Sequence, residues 1–297
     1  MSAQRSRLAR ELRDLRDLWL APFAVALLPY RLGLKLAHWL ARSVPLYEEA
    51  ARSGLEQWRL VRSDVDERPW LADYRFAQLV DHADLYWALT RSDAFLLRRL
   101  QTLPLDVPRD RPLLVLSYHF GQGLWLIRWL RARGIAARFV SVPSSPEWAD
   151  SWLMFFYGRL RMRVVERLAG IAPIFLGGAR SHIGEVLREG GAIYGLIDVP
   201  MRTAGSQSSN CTLFSRSVAL PSGLIDSAKA ANAAVLVITS RMGTDGDRIL
   251  EAQLSGNPAE LTMQRVAEEL EARVERAPAA WHLWHRLPAF VAQPAER

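Results

Sequence analysis

The string HFGQGLW, beginning at His119, follows the apolar run LLVLSY and precedes a helix-like segment. An imidazole placed there suits a general base, taking the proton of an acceptor hydroxyl or amine as it attacks a thioester carbonyl. Gly121 and Gly123 allow a sharp turn and can bring backbone amides near a developing oxyanion. Gln122 offers a neutral hydrogen bond, so Gln122 and Gly123 stand as candidate substrate contacts. Asp198 follows a second apolar run, AIYGLI. Sites in open parallel sheets gather at the carboxyl ends of the strands. If both runs belong to one parallel sheet, His119 and Asp198 face one pocket; the strand order that decides this is not fixed by the sequence. Arg216 and Arg241, beside apolar segments, are candidates for holding the phosphate of a lipid or of a pantetheine arm.

Other polar residues point less far. His282 and His285 lie three apart in WHLWHR. Without a third ligand in company they read as packing residues, so no metal site is expected. No cofactor is implied. The single cysteine, Cys211, rules out an internal disulfide and fits a reducing compartment. With no histidine near it in sequence, it reads as a small semi-buried residue. Trp125 and Trp129, spaced i, i+4 after His119, pack in a core or line an acyl groove.

The elements that must position these groups follow from periodicity. Short apolar runs, LLVLS (113–117), RFVSV (138–142), APIFL (172–176), AIYGLI (192–197) and AVLVIT (234–239), alternate with the helix-like LWLIRWLRAR, ARSHIGEVLRE and GLIDSAKAAN. Runs apolar on both faces, separated by helices, predict a mainly parallel sheet covered by helices, an α/β fold. RILEAQL (248–254) reads as a further strand, at an edge, and ELTMQRVAEELEARVERA as an amphipathic helix. Residues 1–108 read as helical and 109–297 as the α/β part, the two together forming one structural unit.

Lys and Arg total 38 against 31 acidic residues, a net charge of +7. The excess is mostly arginine, whose planar fork suits phosphate and anionic headgroups. No helix-turn-helix, zinc-finger or ribonucleoprotein signature accompanies it, so a nucleic-acid partner is not expected. The stretch WLAPFAVALLPY (19–30) is too short to span a bilayer, and RLGLKLAHWLARS sets Arg31, Lys35 and Arg42 among leucines and Trp39. Such a basic, aromatic amphipathic helix suits the membrane interface. No cleavable export signal is visible.

The chain resembles the bacterial lipid A biosynthesis acyltransferase family, within the lysophospholipid acyltransferase-like superfamily. These are the late acyltransferases that load lauroyl or myristoyl chains onto a lipid A precursor. The segments that carry the resemblance are LPYRLGLKLAHWLA, SYHFGQGLW, RLRMRVVERL, VLREGGAIYGLIDVP, LFSRSVALPSGLIDSAKAANAAVLVI and PAAWHLWHRLPAF, in that order. The resemblance implies an αβα acyltransferase fold and His119 as general base. It also implies an acyl carrier protein or coenzyme A thioester as donor, and attachment to the cytoplasmic face of the inner membrane.

The family motif, however, places an aspartate or glutamate five residues after the histidine, and here that position is Leu124. The acid holds the imidazole in the right tautomer. Ser215 stands where the family tends to have glycine. Three alternatives stay open: Asp198 replaces the acid; an easily deprotonated acceptor lets His119 act alone; or the chain is an inactive homologue that binds lipid, carrier protein or a partner enzyme. The expectation is transfer of a fatty or polyene-like acyl chain to a lipid-type or specialised-metabolite acceptor. The altered motif points away from lipid A itself.

Overall fold

The computed structural model describes residues 2–102, 104–147, 149–200, 207–255 and 257–291. At its centre, Leu113–Ser117 is buried along its whole length, and its side chains alternate between two cores. Leu113 and Val115 pack on one side, Leu114 and Leu116 on the other. Alternation into two apolar layers is what a strand between two helical layers requires.

The sheet takes strands β1 (Leu100–Gln101), β2 (Leu113–Ser117), β3 (Ala137–Ser141), β4 (Ile174–Phe175), β5 (Ala192–Leu196), β8 (Ala234–Met242) and β9 (Arg248–Ser255), in the order β1-β9-β8-β2-β5-β3-β4. All neighbouring pairs are parallel except β8 with β9. The fold is therefore α/β with a mainly parallel sheet; the five apolar runs and RILEAQL become six of its strands, but RILEAQL (in β9) is not at the edge, because the short β1 pairs with its outer side. A separate antiparallel hairpin, β6 (Ser208–Leu213) with β7 (Arg216–Pro221), was not expected. Its turn residues, Phe214 and Ser215, have φ of +50° and +61°, a region that favours glycine. Ser215 adopts that conformation without the freedom a glycine would have there.

Helices α1 (Ser2–Asp14), α2 (Ala21–Leu27), α3 (Tyr30–Ser43), α4 (Glu48–Arg59), α5 (Glu67–Thr90) and α6 (Asp93–Leu97) precede the sheet, with a π-helical turn at Leu15–Leu20. They do not form a core of their own. Residues of α2, α3 and the second half of α5 join the layer around Val115, while Trp58, Trp70 and Tyr74 join the layer around Leu116. The remaining helices are α7 (Gly123–Ala132), α8 (Trp152–Ala169), α9 (Ala179–Arg188), α10 (Gly223–Ala230) and α11 (Met263–Arg276). The apolar stretch at 19–30 is half sunk: Val25 and Ala26 are buried, whereas Leu20, Phe23 and Leu27 are exposed. Among the described residues, no helix is long and apolar enough to cross a membrane.

Candidate active site

Strands β2 and β5 are neighbours, in the register Ser117 with Leu196, and Ile197 N–H donates to Ser117 O at 3.0 Å just beyond them. Two residues further along each chain stand His119 and Asp198. The register therefore sets the two polar residues side by side at the carboxyl edge of the sheet. The imidazole Nδ1 lies 3.0 Å from Asp198 Oδ1, and the His119 backbone N–H donates to both carboxylate oxygens at 2.9 Å. A third donor comes from the far end of the chain, Trp281 Nε1–H, at 2.8 Å from Asp198 Oδ2.

The carboxylate is sealed, at 1% side-chain exposure, while the His119 side chain keeps 34%. Burial alone would push the imidazole toward its neutral form. The Asp198 charge and hydrogen bond outweigh it and hold His119 above its ordinary value. With the acceptor-only carboxylate facing Nδ1, the proton of the neutral ring belongs on Nδ1. Nε2, which has no hydrogen-bond partner among the described residues, is left with its lone pair for chemistry.

The loop after His119 is pinned on two sides. Gly121 takes φ +63°, and a Cβ there would sit 1.7 Å from Ser240 O, so only glycine fits. Gly121 N–H donates to Ala280 O at 2.9 Å, and Gln122 N–H donates to Ser240 O at 3.2 Å. These two amides are spent on the fold. The next amides along the chain, at Gly123 and Leu124, belong to the first turn of α7, where helix N–H groups have no intrahelical partner. Gln122 itself is buried, with no partner for Oε1. Leu124, at the position of the family's acid, is buried in the apolar core.

A strap from near the end of the chain, residues 280–284, closes this arrangement. Phe120 pairs antiparallel with Trp281, and His282 N–H donates to His119 O at 2.8 Å. His282 Nε2–H donates to Gly121 O at 2.7 Å, and Tyr74 O–H donates to His282 O at 3.0 Å. Burial holds His282 below its ordinary value, consistent with a neutral ring in that bond. His282 is thus tied by hydrogen bonds into the His119 loop, and among the described residues no group of three or more His, Cys, Asp or Glu is placed to hold a metal ion.

The sequence did not single out one further pair. On α5, Asp81 is bridged to Arg161 of α8 at 3.0 Å, and both charges act on His119 and on His282. The signal available was a pair of acids, Asp81 and Asp84, inside a helical stretch that is buried almost all round. Arg216 and Arg241, the candidate phosphate ligands, each have a protein partner. Arg216 Nη1–H donates to Gln57 Oε1 at 3.1 Å, and Arg241 Nε–H donates to Glu251 Oε1 at 2.9 Å. The backbone of Arg241 lies beside Gly121. Trp125 and Trp129 are buried in the core, and so is the Cys211 side chain, whose thiol burial pushes up to about 11.

No family model matches the chain, and no curated protein matches it. Among solved structures, it is similar to the 1-acyl-sn-glycerophosphate (LPA) acyltransferase PlsC from Thermotoga maritima, at 14% identity and a TM-score of 0.36. That match covers 88% of this chain and 98% of the other. A likeness this loose carries no weight for the reaction.

Proposed function

We propose that the chain is an acyltransferase in which His119 is the general base and Asp198 supplies the carboxylate that Leu124 cannot. The observation that carries the reading is the 3.0 Å His119–Asp198 bond, made from Nδ1 of a side chain that stays one-third exposed. An acceptor hydroxyl or amine gives its proton to Nε2 while its oxygen or nitrogen attacks the thioester carbonyl. The resulting imidazolium is held by Asp198. The tetrahedral oxyanion faces the first-turn amides of α7, whose dipole favours negative charge. Collapse breaks the carbon–sulfur bond, and the departing thiolate takes the proton back from Nε2–H. One ester or amide and one free thiol result, and the histidine is regenerated.

The donor in this reading is an acyl carrier protein or coenzyme A thioester, and the acceptor a lipid-type or specialised-metabolite hydroxyl or amine. The protein works on a membrane surface. Support for that location lies in the exposed Leu20, Phe23, Leu27, Leu32 and Trp39 on the leading helices, interleaved with Arg31, Lys35 and Arg42. The cytoplasmic face of a bacterial inner membrane follows from the resemblance.

The test is consumption of labelled acyl-carrier thioesters by the wild type and by His119→Ala, with a bacterial lipid extract as acceptor. Turnover that collapses in the variant supports the transferase. Thiol release without acylated lipid would make it a thioester hydrolase. Equal background from both proteins, with each donor type supplied, would leave a binding protein.

A further inference from the structure

The α1–α8 junction holds chemistry that acyl transfer does not use. Two acids of α1 are committed to the start of α8. Glu11 accepts from the Trp152 and Leu153 N–H groups at 2.9 and 3.2 Å, and Asp14 accepts from Ser151 Oγ. They act as a cap brought in from another helix, satisfying donors that a helix start leaves bare. Trp19 Nε1–H adds a bond to Leu153 O at 3.2 Å. This anchorage fixes which way α1 turns, since residues 7, 10, 11 and 14 share one helix face.

Arg7 and Arg10 are thereby held over a half-open cleft of about 290 Å³, whose other walls include Pro146, Ser151, Trp152 and Phe155. Neither guanidinium has an ion-pair or hydrogen-bond partner among the described residues, and Arg10 Nε is buried without one. Asp150 also lines the cleft and pairs with neither arginine. Arg13, on the same helix, differs in pairing with Glu49 at 2.8 Å. Beside the cleft, Leu8 and Leu12 of α1 and Trp152 and Phe156 of α8 stand 48–61% exposed. The aromatic rings of Trp152, Phe155 and Phe156 cluster together.

We infer that this cleft binds the phosphate of an anionic membrane phospholipid, seated between Arg7 and Arg10, while Leu8, Leu12, Trp152 and Phe156 enter the bilayer interface. Unpaired arginines match phosphate oxygens in a bidentate manner. Trp beside leucine suits the boundary between headgroups and acyl chains. A free phosphate explains the arginines but not the exposed apolar ridge, and a carrier protein's acidic surface would also leave that ridge in water. The inference rests on the membrane-contact part of the proposed function and adds to it a defined headgroup site.

The experiment is co-sedimentation of the whole chain with phosphatidylcholine vesicles, with and without phosphatidylglycerol. The proteins are the wild type, Arg7→Gln/Arg10→Gln, Trp152→Ala/Phe156→Ala, and the charge-matched control Arg180→Gln/Arg188→Gln on α9. Circular dichroism and melting check that each is folded. The expected result is about fivefold weaker binding to phosphatidylglycerol vesicles for each arginine removed from the cleft. The aromatic double variant weakens binding to both vesicle types, and the α9 control changes least. Equal losses in the two arginine doubles would reduce the site to general electrostatics and overturn the inference. So would wild type that binds no vesicle, or inorganic phosphate displacing the protein from vesicles with the aromatic variant behaving as wild type. A cleft double that loses carrier-protein binding while keeping vesicle binding would assign the arginines to that partner and overturn it too. Turnover in detergent, measured alongside, reports on His119 separately, so a failed headgroup site and a failed acyltransferase are told apart.

Discussion

Replacing Asp198 with Asn tests the reconstructed dyad most directly. Three N–H groups converge on the Asp198 carboxylate: the His119 backbone amide at 2.9 Å, the ring Nδ1 at 3.0 Å and Trp281 Nε1 at 2.8 Å. A carboxylate can accept all of them, whereas an amide offers one oxygen and turns an NH2 group toward a donor. If the NH2 faces the ring, the imidazole must move its proton to Nε2 and loses the lone pair that acts as base. If it faces Trp281, a buried indole N–H loses its acceptor, at a cost of about 1–3 kcal/mol. The structure therefore predicts that kcat falls by about 10³–10⁴, with KM changing much less. Melting should fall by on the order of 5 °C. The pH profile carries the sign of the argument. In the wild type, activity rises with pH as His119 gives up its proton, with a midpoint above the ordinary histidine value because Asp198 favours the charged ring. In Asp198→Asn that support is gone, burial dominates, and the midpoint moves to lower pH. Steady-state thiol release across pH, with ring-nitrogen NMR of His119 on the free protein, reads both. An Asp198→Asn protein within tenfold of wild type, with an unmoved midpoint, would refute the reasoning.

Trp281→Phe removes one donor and leaves the aromatic packing. The less well-solvated carboxylate should then hold the imidazolium more strongly, moving the His119 midpoint up while kcat drops by about tenfold, and NMR titration with kinetics checks both. Gly121→Ala should abolish turnover and lower thermal stability sharply, because the new Cβ would meet Ser240 O at 1.7 Å; Gly134→Ala, also at positive φ but in open space, should cost only about 1–2 kcal/mol in denaturant unfolding. The buried pair of Asp84 with Arg248, at 2.9 Å, allows a further test. Asp84→Ala should destabilise by about 3–5 kcal/mol, while Asp84→Leu with Arg248→Met should recover most of the loss, since two apolar groups remove the stranded charge.

The pairing of His119 and Asp198 was legible in outline because both follow apolar runs that end in the same direction. What the sequence lacked was strand order. Had β5 paired elsewhere, the same two residues would sit apart. The strands themselves were legible since apolar runs buried on both faces have few other destinations. The β6–β7 hairpin was hidden because its turn is built by Phe214 and Ser215 rather than by Asn or Gly, which signal such turns. Arg216, read as a phosphate ligand, donates to Gln57 of α4, a partner 159 residues away in the chain. Arg241 has a cross-strand acid, Glu251, that only the β8–β9 register reveals. Asp81, Arg161 and Trp281 escaped for a common reason. Each lies far along the chain from His119, and local periodicity carries no record of contacts between distant segments.

The strap at residues 280–284 has a consequence for the order in which the molecule is made. The His119 loop cannot adopt its final shape until Ala280, Trp281 and His282 reach it, roughly 160 residues later in synthesis. The apolar, basic helices over residues 2–97 are synthesised well before that strap. If the chain works on a membrane surface as proposed, a product broken off before residue 280 would carry the surface-facing helices without the bonds that orient the imidazole. The bonds that orient His119 are among the last the chain can make.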